Sequence, residues 1–113
     1  MTTGEEQGLD IKALRRQVTD DNFALKPHVM QHAVKEGFTE DDIVHVALNG
    51  MIVELYPERK RCLLYADVIT EGLPMPLHLV CEHYHPHEPV IFVTAYVPSE
   101  EEWETPTRRR KKR

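Results

Sequence analysis

The sequence lacks the features that mark several protein classes. No apolar run approaches the roughly 20 residues that a membrane-spanning helix needs. There is no phosphate-cradling glycine loop, no Gly-x-Ser-x-Gly elbow and no Cys-x-x-Cys pair. The first ten residues, MTTGEEQGLD, are acidic and polar, unlike a secretory signal or a transit peptide. We therefore expect a cytoplasmic protein with no membrane segment.

Cysteine is also scarce, since Cys62 and Cys81 are the two in the chain. Both fall on the predicted apolar face of a sheet, in different strands. That position is typical of buried thiols in a reducing compartment. A disulfide between them would require neighbouring strands in matching register.

Positive charge is scarce outside the C-terminal segment. The formal charge of the chain is −5, and residues 108–113 are all basic. Without them, 8 Lys and Arg face 19 Asp and Glu, so residues 1–107 carry a formal charge of −11. The basic segment can contact phosphate backbones or an acidic partner, or can serve only as a solubilising tail. The acidic body repels nucleic acid unless its few cations converge locally.

The length and composition indicate a single globular domain. The chain has 113 residues, of which 41% are hydrophobic and 29% are charged. We expect residues 1–8 to be disordered and residues 9–104 to form one α+β domain. Residues 105–113 are expected to form a basic, flexible tail.

Three segments in the N-terminal half carry helix signals. Residues 9–18 are a weak helix candidate, and residues 19–22 read as a loop or a new helix start. Pro27 suits the first turn of a second helix, which Gly37 is placed to end. Thr39 resembles the cap of a third helix, which ends near Gly50.

From Met51 to Val97 apolar and polar residues alternate in four runs. Because successive side chains of a strand point to opposite faces, the pattern predicts a sheet with an apolar face and a polar face. The predicted apolar face consists of Met51, Val53, Leu55, Cys62, Leu64, Ala66, Val68, Leu77, Leu79, Cys81, Ile91, Val93, Ala95 and Val97. The predicted polar face, which holds all four tyrosines, consists of Glu54, Tyr56, Arg61, Tyr65, Asp67, His78, Glu82, Tyr84, Thr94 and Tyr96.

The connections between the four runs are short. They fall at residues 57–60, 70–76 and 85–89, and short connections favour antiparallel neighbours. Pro98 ends the last strand, and an acidic turn carrying Trp103 follows. The predicted fold class is α+β, with two or three N-terminal helices packed on one face of a roughly four-stranded antiparallel sheet.

The polar face carries groups that metal-independent RNA cleavage requires. That reaction needs a base near the 2′-hydroxyl, an acid near the leaving oxygen and a cation at the scissile phosphate. His78 or Glu82 can be the base, and His78 or Tyr96 the acid, with Arg61 at the phosphate. The candidates for stacking bases or binding the RNA backbone are Tyr56, Tyr65, Tyr84, Thr94, Arg108, Arg109 and Arg110. The alternative is a solvated sheet face, which favours the same residue types.

The run CEHYHPH at residues 81–87 has the residue types of a zinc or copper site. Alternate residues on a strand lie roughly 7 Å apart, too far for three of them to close on one ion without a bend. The alternative is a polar loop that carries histidines. His28 and His32 share a helical face, but HVMQH lacks the glutamate of a zinc protease motif. We expect no metal site and no cofactor, and keep metal binding through residues 81–87 as an alternative.

Five segments together carry a family resemblance. They are GFTEDDIVHVALNG, IVELYPERKRCLL, LPMPLHLVCEHY and VIFVTAYVPSEEEWE, preceded by a histidine-bearing helix. This pattern, from about His28 to Trp103, resembles the bacterial family catalogued as domain of unknown function 4258. The family's motif positions here are His28 or His32, Glu54, Tyr56, Arg61, His78, Thr94, Tyr96 and Trp103. Many members have an arginine before the helix-ending glycine, where this chain has Glu36.

The resemblance implies a fold similar to small toxin ribonucleases of the RelE and barnase-like type, and some members lie beside antitoxin-like proteins. Our leading hypothesis is a small toxin-like protein that acts on single-stranded RNA as a metal-independent endoribonuclease. The competing hypothesis is a non-enzymatic module that binds a protein partner through the tyrosine-rich face. The expected partners are RNA, an antitoxin-like protein or a second copy of the chain. The sequence alone leaves open whether the protein is an enzyme.

Overall fold

The fold was analysed in a computed structural model, which describes residues 9–84 and 88–111. The expectation of disorder for residues 1–8 lies outside the described residues. The helices and strands, in chain order, are α1 (Ile11–Thr19), β1 (Phe23–Leu25), α2 (Pro27–Glu36), α3 (Glu40–Asn49), β2 (Met51–Tyr56), a 3₁₀ turn (Pro57–Arg59), β3 (Arg61–Thr70), β4 (Leu73–Glu82), β5 (Val90–Tyr96), β6 (Trp103–Thr105) and β7 (Arg108–Arg109).

The main sheet has five strands in the order β1-β5-β4-β3-β2, and the helices pack on one of its faces. The predicted α+β class is therefore confirmed. The sheet is mixed, because β1 runs parallel to β5 while the other neighbours are antiparallel. No strand was predicted at β1, which directly follows residues 19–22, a stretch expected to be a loop or a helix start. The three residues of β1 are too few for a recognisable alternation, and stacking of Phe23 on Phe92, with ring centroids 4.9 Å apart, fixes their position.

The three predicted helices are confirmed, and the predicted end signals act at two of them. The backbone of Gly37 has a φ of 88° where α2 ends. The Thr39 hydroxyl accepts a hydrogen bond from the Asp42 amide, and the Asp42 carboxylate accepts one from the Thr39 amide, which is a capping box. Among the described residues, no helix is long and apolar enough to cross a membrane.

A two-residue turn joins β3 to β4, so the predicted connection at residues 70–76 is wrong. Glu71 and Gly72 have φ values of 52° and 80°, as a type I′ hairpin turn requires. Pro74 and Pro76 therefore lie within β4, opposite Ile69 and Asp67. Counted from the turn, both prolines occupy non-hydrogen-bonded pairs, and their nitrogens point away from β3. Because β5 pairs with β4 only as far as His78, the missing N–H groups break no bond in the ladder.

Two bulges change which residues of β2 and β5 face the helices. A bulge between β4 and β5 puts Val90 and Phe92 in the buried core, where Ile91 and Val93 were predicted. A second bulge, between Ile52 and Glu54, makes Ile52 the partner of Leu64, which is on the helix side. Met51 was predicted on the helix side, but it pairs with Tyr65 on the opposite face and is 55% exposed. Each bulge inserts a residue and reverses the alternation that sequence phasing assumes.

The helix side of β3 and β4 follows the predicted alternation without a break. Cys62, Leu64, Leu77, Leu79 and Cys81 are all completely buried there. The two cysteines are direct partners across β3 and β4, and both are free thiols. The expectation of buried thiols is therefore confirmed, and the matching register that a disulfide would require is also present.

The C-terminal hairpin, which we define as β6, β7 and the turn between them, was not predicted. Trp103 pairs with Arg109, and Thr105 pairs with Arg108. The sequence indicated an acidic turn followed by a flexible tail from residue 105, whereas the structure has paired strands there. Two arginines in a row after a proline have no apolar alternation, so no strand signal is present in the sequence.

Gly50 is the position where we expect the backbone to tolerate substitution least. A Cβ atom there would lie 2.5 Å from the carbonyl oxygen of Val46 and 3.0 Å from that of Tyr65. Because both atoms belong to the backbone, we predict that Gly50→Ala lowers the free energy of unfolding by about 2–3 kcal/mol. Gly72→Ala, which meets no atom within 4 Å but needs a positive φ, is predicted to cost about 1 kcal/mol. Urea unfolding measures both, and an equal or smaller loss for Gly50→Ala would contradict the packing described.

Candidate functional site

The helix-free face, which is the sheet face opposite the helices, carries the predicted site residues in three rows across the strands. Opposite residues on neighbouring strands share a face, so the pairing assigns each row directly. The first row is Met51, Tyr65, His78 and Tyr96; the second is Glu54, Leu63, Val80 and Thr94; the third is Tyr56, Arg61, Glu82 and Ile91.

The predicted catalytic residues fall into two of these rows. His78 and Tyr96 are in the first row, and Arg61 and Glu82 are in the third. Four residues along an extended strand span about 13 Å, so His78 and Glu82 are too far apart to contact one phosphodiester together. The shared face was predicted correctly, but the four side chains do not form one cluster.

His78 is fully buried although it lies on the helix-free face. Its Nε2 is 2.7 Å from the carbonyl oxygen of Pro106, and its Nδ1 is 3.4 Å from the Tyr96 hydroxyl. A carbonyl oxygen only accepts, so Nε2 carries the hydrogen and Nδ1 is left with its lone pair. Burial is the main cause that lowers the pKa of His78, and the nearby charge of Arg109 adds to it. The imidazole is therefore held in its neutral form at pH 7.

The C-terminal hairpin is the cover that buries His78. The Trp103 ring meets the imidazole edge to face with centroids 4.6 Å apart, and Trp103 itself is 4% exposed. The Tyr96 and Tyr65 rings complete the enclosure at 5.3 and 6.2 Å. Burial also raises the pKa of Tyr96. In this conformation no substrate atom can reach either nitrogen of His78.

Glu54 and Arg109 fasten the C-terminal hairpin to the sheet. Arg109 donates to both carboxylate oxygens of Glu54, at 2.7 and 3.1 Å, and its guanidinium lies 4.5 Å from the centre of the Trp103 ring. The Tyr56 hydroxyl donates to the same carboxylate. The bonds from Arg109 are the first cause that lowers the pKa of Glu54, while burial and Glu54 together raise the pKa of Tyr56 to about 12.

The third row borders an open cleft of about 480 Å³. Arg61 donates to Glu82 at 2.6 Å across β3 and β4, with side-chain exposures of 28% and 11%. The lining of the cleft is Tyr56, Glu58, Arg59, Arg61, Val80, Val93 and Thr94. The cleft therefore offers an aromatic ring, two guanidinium groups and a hydroxyl beside an apolar floor.

The remaining predicted substrate-binding residues are distributed around these two regions. Tyr65 donates to Asp67 at 2.6 Å, and burial followed by that bond raises its pKa to about 12. Tyr84 lies beyond the end of β4 and is 56% exposed. Arg108 and Arg110 stay within the C-terminal region, where Arg108 approaches Glu104 at 3.8 Å and Arg110 bonds the Glu100 carbonyl.

The histidine and cysteine motifs do not converge where the structure describes them. Within residues 9–84 and 88–111, no group of three or more His, Cys, Asp or Glu side chains is arranged to hold a metal ion. Cys81 is in the core, and His83 bonds the Gln17 side chain at 2.6 Å. His28 and His32 do share a face of α2, with rings 5.9 Å apart. His85 and His87 lie outside the described residues.

The sequence did not indicate the groups that set the protonation state of His78. The Pro106 carbonyl is a backbone atom and leaves no signal in the sequence. The contact of Arg109 with Glu54 joins residues 55 positions apart, and nothing in their local context indicates it. Arg59 was not predicted as a site residue either, but its position could have been inferred. It lies in the predicted turn at residues 57–60, and a turn at the end of a strand borders the sheet face.

His78 gives the stability of the fold a dependence on pH. Its pKa is lowered in the folded state, so its contribution is complete above the unfolded value of 6.5 and is lost as pH falls toward the folded pKa. We predict that the wild-type protein loses free energy of unfolding below pH 6.5 more steeply than His78→Gln. Urea unfolding on both sides of that pH measures the difference. His45→Gln, which alters an exposed histidine of α3, is the control and should follow the wild type; parallel profiles for all three proteins would contradict the burial.

Comparison with known proteins gives one match. The family model described as domain of unknown function (DUF4258) matches residues 25–97. No curated protein and no solved structure matches the chain. The matched region runs from the end of β1 through β5 and includes every residue of the three rows, while the C-terminal hairpin follows it. Since the match covers more than half of the chain, the protein belongs to the DUF4258 family.

Proposed function

We propose that the protein is a small, toxin-like endoribonuclease that binds single-stranded RNA on its helix-free face and cleaves it without a metal ion. The observation that carries the proposal is the neutral, buried imidazole of His78 beside Tyr96, in the row next to a cleft that holds Arg59 and Arg61. The similarity to RelE and barnase-like toxins, inferred from sequence motifs, belongs to the same proposal.

The open cleft is suited to hold one nucleotide of the strand. Tyr56 offers a ring against which a base can stack, and Arg59 and Arg61 offer guanidinium groups for a phosphate. Glu82 orients Arg61 through their 2.6 Å bond. Because the first and third rows lie about 13 Å apart, Arg61 serves a phosphate neighbouring the one that is cut.

The first row supplies the chemistry. With the C-terminal hairpin moved off the first row, Nδ1 of His78 takes the proton of a 2′-hydroxyl, whose oxygen then attacks the adjacent phosphorus. The bond from phosphorus to the 5′ oxygen breaks, and that oxygen takes a proton from the Tyr96 hydroxyl. The guanidinium of Arg109, which binds Glu54 of the second row, is the cation that we assign to the negative charge that develops on the phosphate.

The first test is cleavage of a mixed single-stranded RNA by the tag-free protein, with and without chelator. We predict cleavage that is unaffected by chelator and falls at least about 100-fold in His78→Ala, the typical contribution of one general base. His78→Gln, which keeps a hydrogen-bonding side chain, guards against loss of the fold, and circular dichroism checks both variants. His45→Ala is the matched control and should cleave as the wild type does. Equal cleavage by a folded His78 variant would exclude the mechanism.

Arg61→Ala separates binding from chemistry. If Arg61 holds a neighbouring phosphate, its loss raises KM by roughly 10-fold with little change in kcat, because such contacts contribute equally to the bound substrate and the transition state. A fall in kcat of the size expected for His78→Ala would instead assign Arg61 to the scissile phosphate.

A second candidate function is a protein-interaction module, and the edge strand β2 favours it. β2 ends the five-stranded sheet, and its outer side pairs with no strand in the described part of the chain. Met51, Ile52 and Leu55 on this strand are 55%, 40% and 38% exposed. Edge strands with apolar side chains pair readily with another strand. If no RNA is cleaved, this candidate predicts a dimer or a complex with an antitoxin-like protein that Ile52→Lys disrupts, as sedimentation would measure.

A further inference from the structure

We propose that the C-terminal hairpin is a strap that closes the site, and that the RNA strand opens it by taking Arg109 away from Glu54. The proposal rests on the proposed function, because it names the regulation of the same face. In the closed state the arginines of β7 contact carboxylates of the protein. In the open state they contact phosphates of the substrate.

The strap closes the site through a few contacts centred on one imidazole. The Pro106 carbonyl takes the Nε2 hydrogen of His78 at 2.7 Å, and the Trp103 ring covers the imidazole with centroids 4.6 Å apart. His78 is completely buried as a result. A general base in this state is protected from solvent and from substrate alike, so cleavage requires the strap to move.

The strand pairing of the strap allows it to move as a unit. β6 and β7 pair with each other and form a sheet separate from the main one. An open cleft of about 370 Å³ borders it, lined by Pro76 and Val97 of the main domain and by Trp103 and Pro106 of the strap, among others. Undocking breaks no ladder bond of the main sheet. What it disrupts is the bond from His78 to the Pro106 carbonyl, the packing of Trp103 on the imidazole and the ion pair of Arg109 with Glu54.

The fastening between the strap and the sheet is exposed and ionic. The Arg109 and Glu54 side chains are 50% and 25% exposed, and their contact is a bidentate ion pair. Ion pairs of this exposure contribute little and are screened by salt. A phosphate offers Arg109 the same bidentate geometry as a carboxylate, so it competes for the same donors.

The charge around the strap favours a polyanion as the opening ligand. Arg108, Arg109, Arg110 and Lys111 follow one another, and all four are exposed. In the closed state the three arginines contact oxygens of the protein: Arg108 approaches Glu104 at 3.8 Å, Arg109 binds Glu54, and Arg110 donates to the Glu100 carbonyl. A nucleic-acid strand neutralises several of these cations at once, whereas Glu54 pairs with one of them.

Trp103 provides a direct readout, because it is the one tryptophan in the chain and is buried in the closed strap. The experiment records its fluorescence during titration with a single-stranded RNA oligonucleotide whose 2′-hydroxyls are methylated, so that binding proceeds without cleavage. Acylation of His78 by diethyl pyrocarbonate, located by peptide mass, reports access to the imidazole independently.

We expect the oligonucleotide to shift Trp103 emission to longer wavelength and to make His78 reactive. In Arg109→Ala the same changes appear without RNA, with the open fraction raised between about 3-fold and 30-fold, the range for one exposed ion pair and one cation–π contact. Arg108→Ala is the matched control for the measurement without RNA, since it removes a neighbouring arginine but leaves the contact with Glu54, and it should then stay closed as the wild type does.

The outcomes separate this proposal from the proposed function. If fluorescence anisotropy of a labelled oligonucleotide reports binding while Trp103 and His78 stay buried, the strap does not open and this proposal is wrong, although RNA binding stands. If Arg109→Ala opens the strap but no oligonucleotide binds the wild-type protein, RNA as the opening ligand is excluded together with the proposed function. If Arg109→Ala remains closed, the fastening is not the contact with Glu54 and the proposal fails.

Discussion

The antiparallel pairing of β3 with β4 is the constraint on which the rest of the molecule depends. Ten consecutive residue pairs, from Arg61 opposite Glu82 to Thr70 opposite Leu73, follow one another without a bulge. The closing turn needs two positive φ values, which Glu71 and Gly72 supply. Because side chains alternate along this ladder, it fixes the core residues beneath the helices and the rows of the helix-free face at the same time. The two bulges of the main sheet lie where β2 and β5 join this ladder.

The central position of the ladder explains why His78 has an unusual environment. A histidine in the middle of a sheet face would ordinarily be solvated, and its pKa would lie near 6.5. Here Tyr65 and Tyr96 flank it within the sheet, and the C-terminal hairpin closes over it with Trp103 and the Pro106 carbonyl. Burial without an anionic partner in direct contact favours the neutral ring, which is the state a general base requires. By burying the ring, the hairpin is therefore also what lowers the pKa of His78.

Much of the helix-free face was predictable from the sequence, because β3 and β4 obey strict alternation and carry most of its residues. Arg61, Tyr65, His78 and Glu82 were assigned to this face by phasing alone, and the pairing agrees. The phasing failed for Phe92 and Met51, since a bulge adds one residue that no local propensity reveals. Phasing also gave no distances along the strands. Residues of the first and third rows were therefore predicted to form one site. The cover over His78 depends on contacts between residues far apart in sequence, such as Glu54 with Arg109, and short-range patterns contain no information about those.

Residues 1–107 carry a net negative charge, which opposes the binding of a nucleic acid. How strongly a phosphate can bind depends on the contacts that the arginines already make. Two arginines of the helix-free face are bound to carboxylates in the closed state, Arg61 to Glu82 and Arg109 to Glu54. A phosphate that binds either arginine must displace a carboxylate. The cost of that displacement lowers the net free energy of binding. Each of these two exchanges should then contribute little to the affinity for RNA. Under the proposed function, such a face would favour a strand that engages the cleft and the hairpin arginines together, because that strand replaces both carboxylates.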